Sequence, residues 1–274
     1  MTSTSGALGP GGVRPPLSAT LGAEWMKLRA MRSSWVLATV GVVLGVAVSS
    51  LLAGAVGATW DGWSAADRAD FDPLVSPLIG SIFTGVLVIA LGVKVGASEY
   101  SGGLARLTFV VTPRRGRVLA AKCLLVTLVT WVIGVVATVA SFAAAQLVFG
   151  AFGMTTASFG DADTLRVVGV STLLTPLFPL LGLTLALLVR TAAGAISAVL
   201  ALLFAPAVFG GLLPPWWQRH VIAYLPSPAS DSVTFPHLDD ATTQLPVGLA
   251  AAVLAGWLTL FIAAAYGALT SRDA

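Results

Sequence analysis

Six long apolar runs divide the chain, near residues 35–57, 76–98, 123–149, 167–189, 192–213 and 246–269. At ~1.5 Å of rise per residue, a helix of about 22 residues covers ~33 Å, enough to cross a hydrocarbon layer of ~30 Å. Inside lipid every backbone N–H and C=O must find its partner within the segment, so the runs predict helices and not strands. Ahead of them, residues 1–18 are mostly Ser, Thr, Gly and Pro with a single Arg, and read as a disordered cytoplasmic tail. From Ala19 to Ser33 the pattern turns helical. Leu21, Trp25 and Leu28 recur at helical spacing, and Glu24, Lys27, Arg29 and Arg32 supply a charged complement. Such a helix lies in the membrane interface, with Trp25 at headgroup level and the basic residues in water. The same residues also suit a plain basic flank that orients the next helix. Residues 19–274 then form a single membrane domain: an all-α, polytopic protein with an amino-terminal interfacial helix and six transmembrane helices.

Composition removes the soluble alternatives. Hydrophobic residues make up 57% of the 274 and charged residues only 10%, against roughly 25% charged in soluble domains. So much apolar surface needs lipid as its solvent. The lone cysteine, Cys123, forms no internal disulfide. The first apolar run is not followed by a small-residue cleavage site and a soluble domain, so it reads as a span and not a secretory leader.

The net charge of +3 would also suit a nucleic-acid binder, but its distribution gives another account. With the amino terminus inside, the inner side collects Arg14, Lys27, Arg29, Arg32, Arg106, Arg114, Arg115, Arg117, Lys122, Arg190 and Arg272, eleven of the fifteen basic residues. The outer side keeps Arg68, Arg166 and Arg219. It also takes nine of the twelve acids: Asp61, Asp67, Asp70, Asp72, Asp161, Asp163, Asp231, Asp239 and Asp240. The positive-inside rule therefore places both termini in the cytoplasm. Trp60, Trp63, Trp216 and Trp217 fall at the outer boundary, where amphipathic rings sit.

The spans differ in detail. Pro176 and Pro179 predict a kink in the fourth and Pro206 one in the fifth. Arg190 and Thr191 alone join these two spans, which predicts a tight helical hairpin. The outer connection from Pro214 to Pro246 is long and proline-rich, and its paired tryptophans hint at a path back toward the membrane. No internal repeat is evident, and with it no inverted-repeat mark of a secondary transporter.

Catalytic motifs are absent. There is no Gly-x-x-x-x-Gly-Lys-Ser/Thr phosphate cradle, Gly-x-Ser-x-Gly elbow or His-Glu-x-x-His pair, so the chain is not read as an enzyme and carries no cofactor of its own. His237, Asp239 and Asp240 form the one ligand-like cluster, and short loop clusters of that kind are usually solvated. Lys94 is the single charge within a span. It lies five residues before Glu99, so its stem reaches the inner interface by snorkelling.

The segment 99–122 stands apart. It runs from Glu99 through Gly102 and Gly103, an apolar stretch from Leu104 to Val111, Pro113, and the bases Arg114, Arg115, Arg117 and Lys122, with Arg106 inside the apolar stretch. Near anionic lipid each of those bases would gain ~1 kcal/mol, so the charge alone does not imply a protein partner. Leu107, Phe109 and their apolar neighbours outside the membrane do call for a cover, either headgroups or another protein. This arrangement resembles the membrane subunits of type-2 ATP-binding-cassette (ABC) transporters. Those share a Glu, a Gly-rich turn, an apolar run, a Pro with following bases, and an Ala-Lys (here Ala121-Lys122) entering the third helix. Glu24 to Trp35 is similar to the family's approach to its first helix.

The resemblance implies a permease subunit of an exporter in a cell membrane, and Ala- and Arg-rich, Lys-poor usage points to a GC-rich bacterium. Two such subunits, alike or different, would line a path and pair with two cytoplasmic ATPases that bind the ATP. Glu99, Gly102 and Gly103 would set the turn of the coupling loop, Leu107 and Phe109 would seat in the ATPase, and the arginines would steer docking. Two other readings stay open: an ion-coupled secondary transporter, and a non-transporting assembly or sensor subunit.

Overall fold

The computed structural model describes residues 17–98, 115–236 and 242–271. Among them there is no strand, and six helices are long and apolar enough to span a membrane. A short helix α1 (Leu17–Ala30) leads, after a break at Met31, into α2 (Arg32–Thr59). Two short outer helices, α3 (Ala65–Ala69) and α4 (Ser76–Ile79), precede the second span α5 (Ser81–Ala97). The third span is α6 (Arg115–Ala151), and the fourth is divided into α7 (Ala162–Leu174) and α8 (Leu177–Val189). The fifth is α9 (Ala192–Phe209). Two short helices, α10 (Pro215–His220) and α11 (Pro226–Thr234), lie in the connection to the sixth span, α12 (Val247–Ser271).

Close approach of small residues holds the bundle together, as expected where lipid gives helices no hydrophobic reason to associate. The buried face of α2 is Ser34, Ala38, Gly41, Gly45, Ser49, Ala53 and Gly57, while Val36, Val43 and Leu51 point outward. Against that face lie α4 and α5. Thr84 Oγ1 donates to the Gly41 carbonyl at 2.8 Å, and Ser49 Oγ to the Pro77 carbonyl at 2.7 Å. The contact is so near that a Cβ on Gly80 would run into the Gly45 carbonyl oxygen. On its other side α5 meets α8, where a Cβ on Gly92 would strike the Pro179 carbonyl oxygen. These two helices form the centre: Val88, Ile89, Leu91 and Val93 from one and Leu181, Leu183 and Leu187 from the other are almost wholly buried. Large apolar side chains on the outer spans remain exposed, among them Phe209 on α9 and Leu260 on α12, as lipid-facing surfaces require.

The proline expectations separate. Pro176 and Pro179 break the fourth span, since neither can donate a backbone hydrogen bond. The Thr175 N–H turns to the Thr172 carbonyl at 3.3 Å, and the Thr175 hydroxyl to the Ser171 carbonyl at 3.1 Å. Pro206, by contrast, sits inside a continuous α9. The hairpin between α8 and α9 turns on Arg190, whose φ of 60° puts it in the left-handed region, with its N–H bonded to the Ala186 carbonyl at 2.9 Å.

Three sequence expectations are corrected. The tail ends earlier, because Leu17 and Ser18 already belong to α1. Arg32 opens the first span and is not part of the interfacial helix. Trp60 is not a boundary ring facing headgroups: it is 7% exposed, packed at 5.3 Å between ring centroids against Phe71, which in turn meets Phe149 at 5.3 Å. Trp216 and Trp217 do stay exposed.

Candidate functional site: an inner charge cluster and an outer cavity

The helix α1 and the last turn of α12 lie at one end of the bundle, beside the inner end of α5 and the first described turns of α6. Lys122, two turns along α6 from Arg115, is 1% exposed. Its Nζ pairs with Glu24 Oε2 of α1 at 2.6 Å and donates to the Val95 carbonyl of α5 at 3.3 Å. Glu24 is itself 4% exposed and takes a second ion pair from Lys27 at 2.7 Å. A buried charge is tolerable when it is paired and bonded in this way. Arg115 donates to the Leu269 carbonyl in the last turn of α12, where a cation complements the helix dipole. One set of polar contacts thus joins α1, α5, α6 and α12.

This geometry changes the roles expected of several residues. Arg115 and Arg117 lie in the third helix, partly buried, and do not belong to a loop. Lys122 faces the protein interior and not anionic lipid or a partner. On α1, Thr20, Glu24 and Leu28 face inward, and Leu28 is 1% exposed in a cluster with Leu91, Val95 and Val126. Trp25, Lys27 and Arg29 face outward, and Trp25 stands edge-on to Trp35. Glu24 therefore leaves the water-facing set and becomes the anchor of α1. Its signal in the sequence was faint, since its partner lies 98 positions away. Lys94 does reach toward the inner end, where its Nζ bonds the Ser33 hydroxyl. Glu99, Gly102, Gly103, Arg106, Leu107, Phe109, Pro113 and Arg114 lie outside the described residues, as do His237, Asp239 and Asp240.

At the other end, the connection between the fifth and sixth spans folds back onto the helices. Trp257, ten residues along α12, donates to the Tyr224 carbonyl at 2.8 Å, and Ala223 and Ala229 pack with Leu177 and Leu254. Two adjoining cavities result. The deeper, of about 260 Å³, reaches Ile89, Gly134 and Thr175 near the middles of their spans. The shallower, of about 590 Å³, lies among Gly210, Gln218, Ser227 and Thr242. They share Val75, Asp231 and Phe235. Asp231 is accessible from this space. Protein nonetheless surrounds it closely enough that burial pushes its carboxyl up to about 6. In the sequence this residue was one of nine outer acids, and nothing in its polar, proline-bounded neighbourhood marked it.

Comparison with protein-family models, with curated proteins and with solved structures finds no match for this chain.

Proposed function

We propose that the chain is the membrane-spanning subunit of an ABC transporter, driven by ATP that a separate cytoplasmic ATPase hydrolyses. The observation that supports this reading is mechanical. The segment between Ser98 and Arg115 leaves α5 and returns to α6 at the inner end, where Lys122 binds both Val95 and Glu24. A force on that segment would move α1, α5 and α6 together as one body, the rigid-body coupling a detached motor needs. Residues Leu107 and Phe109 would enter the ATPase, and Arg114 would steer it. With its roles reassigned, Lys122 would act as a brace behind the docking surface.

The test is co-purification with a cytoplasmic ATPase that carries a Walker sequence and no spans of its own, sought first in the adjacent reading frame, followed by ATP-dependent flux in proteoliposomes. A Leu107→Asp/Phe109→Asp variant should lose the complex and the flux together. Undiminished complex and flux in that variant would overturn the reading.

One observation favours a second reading, the ion-coupled transporter: the broken fourth span borders a cavity that carries an acid. Gradient-driven flux by the purified chain without ATP would decide for it.

A further inference from the structure

The two outer cavities have a definite chemistry. The deeper one is walled chiefly by apolar side chains, Leu78, Ile82, Ile89 and Phe178 among them, so it suits a hydrophobic body. Hydroxyl groups from Thr84, Thr138 and Thr175 interrupt that wall. Pro179 has no N–H to offer the Thr175 carbonyl, which adds an oxygen without its helical donor at the same wall. Among the described lining residues of both cavities, Asp231 is the one charged side chain, and it stands where the two volumes meet. Arg166, the base nearest in sequence to the start of α7, is engaged elsewhere on α11, at the Val233 carbonyl, 3.3 Å away.

Each alternative ligand class fails on a particular count. An anion would meet a carboxylate and no opposing cation on the wall. A divalent metal would want several carboxylates, and no group of three ligating side chains exists among the described residues. A wholly neutral apolar ligand would cover the carboxylate and take water from it without supplying a counter-charge.

We propose that these cavities form a binding site for a small organic monocation, an ammonium group on an apolar body. Asp231 is its counter-charge, and the deeper cavity seats the apolar part. An apolar body seated there displaces water from beside the carboxylate, and charge attraction then exceeds its value in open water. Gly85 keeps the seat open: a Cβ at that position would meet nothing within 4 Å. The site serves either transport reading, and only the word substrate depends on them. Binding itself is measured on the chain alone, so its failure leaves ATPase coupling untouched, and the reverse holds.

The experiment uses the full chain in nanodiscs of zwitterionic lipid at pH 7.5. Benzyltrimethylammonium is the probe, and neopentylbenzene its uncharged isostere. Equilibrium dialysis should show the cation bound on the order of tenfold more tightly than the isostere. Asp231→Asn should remove that preference and leave isostere binding unchanged. Gly85→Leu, which fills the seat from an open position, should weaken both. Equal binding of the two probes to the unaltered chain, or no binding, overturns the proposal. So does an unchanged cation affinity in Asp231→Asn. Should Asp231→Asn fail to fold, Gly85→Leu decides alone, and an unchanged cation affinity there is equally fatal.

Discussion

The two ends of the bundle treat charge in opposite ways. At the inner end Lys122 and Glu24 meet at 2.6 Å, and each has a further bond, to Val95 and to Lys27. At the outer end Asp231 faces open volume. Packing follows the same division. On α5 alone, Gly92 is pressed against the Pro179 carbonyl, whereas Gly85, two turns toward the outside, has empty space beside it. A charge locked among helices holds a structure. A charge beside a void is available to something that arrives.

The strongest way to break this contrast is to remove the inner lock. Lys122→Met takes away the buried partner of Glu24 and should cost about 3 kcal/mol, since one member of a buried pair is left behind. Cys123, free and partly buried on the same helix, reports unfolding through its rate of reaction with a thiol-specific dye. In Glu24→Leu/Lys122→Met the loss should be largely recovered, and a double as damaged as the single would show the pair to be incidental. Next in size is the glycine comparison. Gly92→Ala should destabilise by ~1–3 kcal/mol through overpacking. Gly85→Ala should be neutral or stabilising by up to ~1 kcal/mol, because a helical glycine is replaced without a clash. The same thiol assay ranks both, and similar costs would erase the distinction between the two ends.

The smallest effect is the pH dependence of the outer end. Burial raises the Asp231 carboxyl from 3.8 to about 6, so the folded chain holds its proton more tightly than the unfolded chain does. The stabilisation from that proton is complete below about pH 3.8 and disappears as pH rises through about 6. Between pH 7.5 and 5 the unaltered chain should gain a little resistance to thermal unfolding, a gain that Asp231→Asn lacks. Binding of the cation should fall over the same interval, because protonation removes the counter-charge.

What the sequence disclosed follows from the range over which each force acts. Span positions depend on runs of some twenty apolar residues, and the helices begin and end within a few residues of those runs, apart from α6. Within it, Arg115 and Lys122 have partners on α12, α1 and α5, and no pattern local to the segment reveals them. The break at Pro176 and the hairpin at Arg190 were legible because proline and a two-residue turn act locally. The orientation of α1 was not, since Leu21, Trp25 and Leu28 made the better amphipathic stripe while Glu24 was the residue drawn inward. The cavity escaped notice for a related reason. Residues 226–234 fall in the long proline-rich connection, and only their packing beside Leu177 and Leu254 brings Asp231 to the rim of a cavity.

One further consequence lies in the length of α6. At 37 residues it measures ~55 Å, well beyond the ~30 Å of a hydrocarbon layer, so it is a stiff lever projecting past its fulcrum. Its inner tip carries Arg115. Some 46 Å away, Gln146 clasps the outer segments, donating to the Pro73 carbonyl and accepting from the Ala157 N–H. A tilt imposed on one tip is therefore delivered, reversed in direction, to the rim of the other.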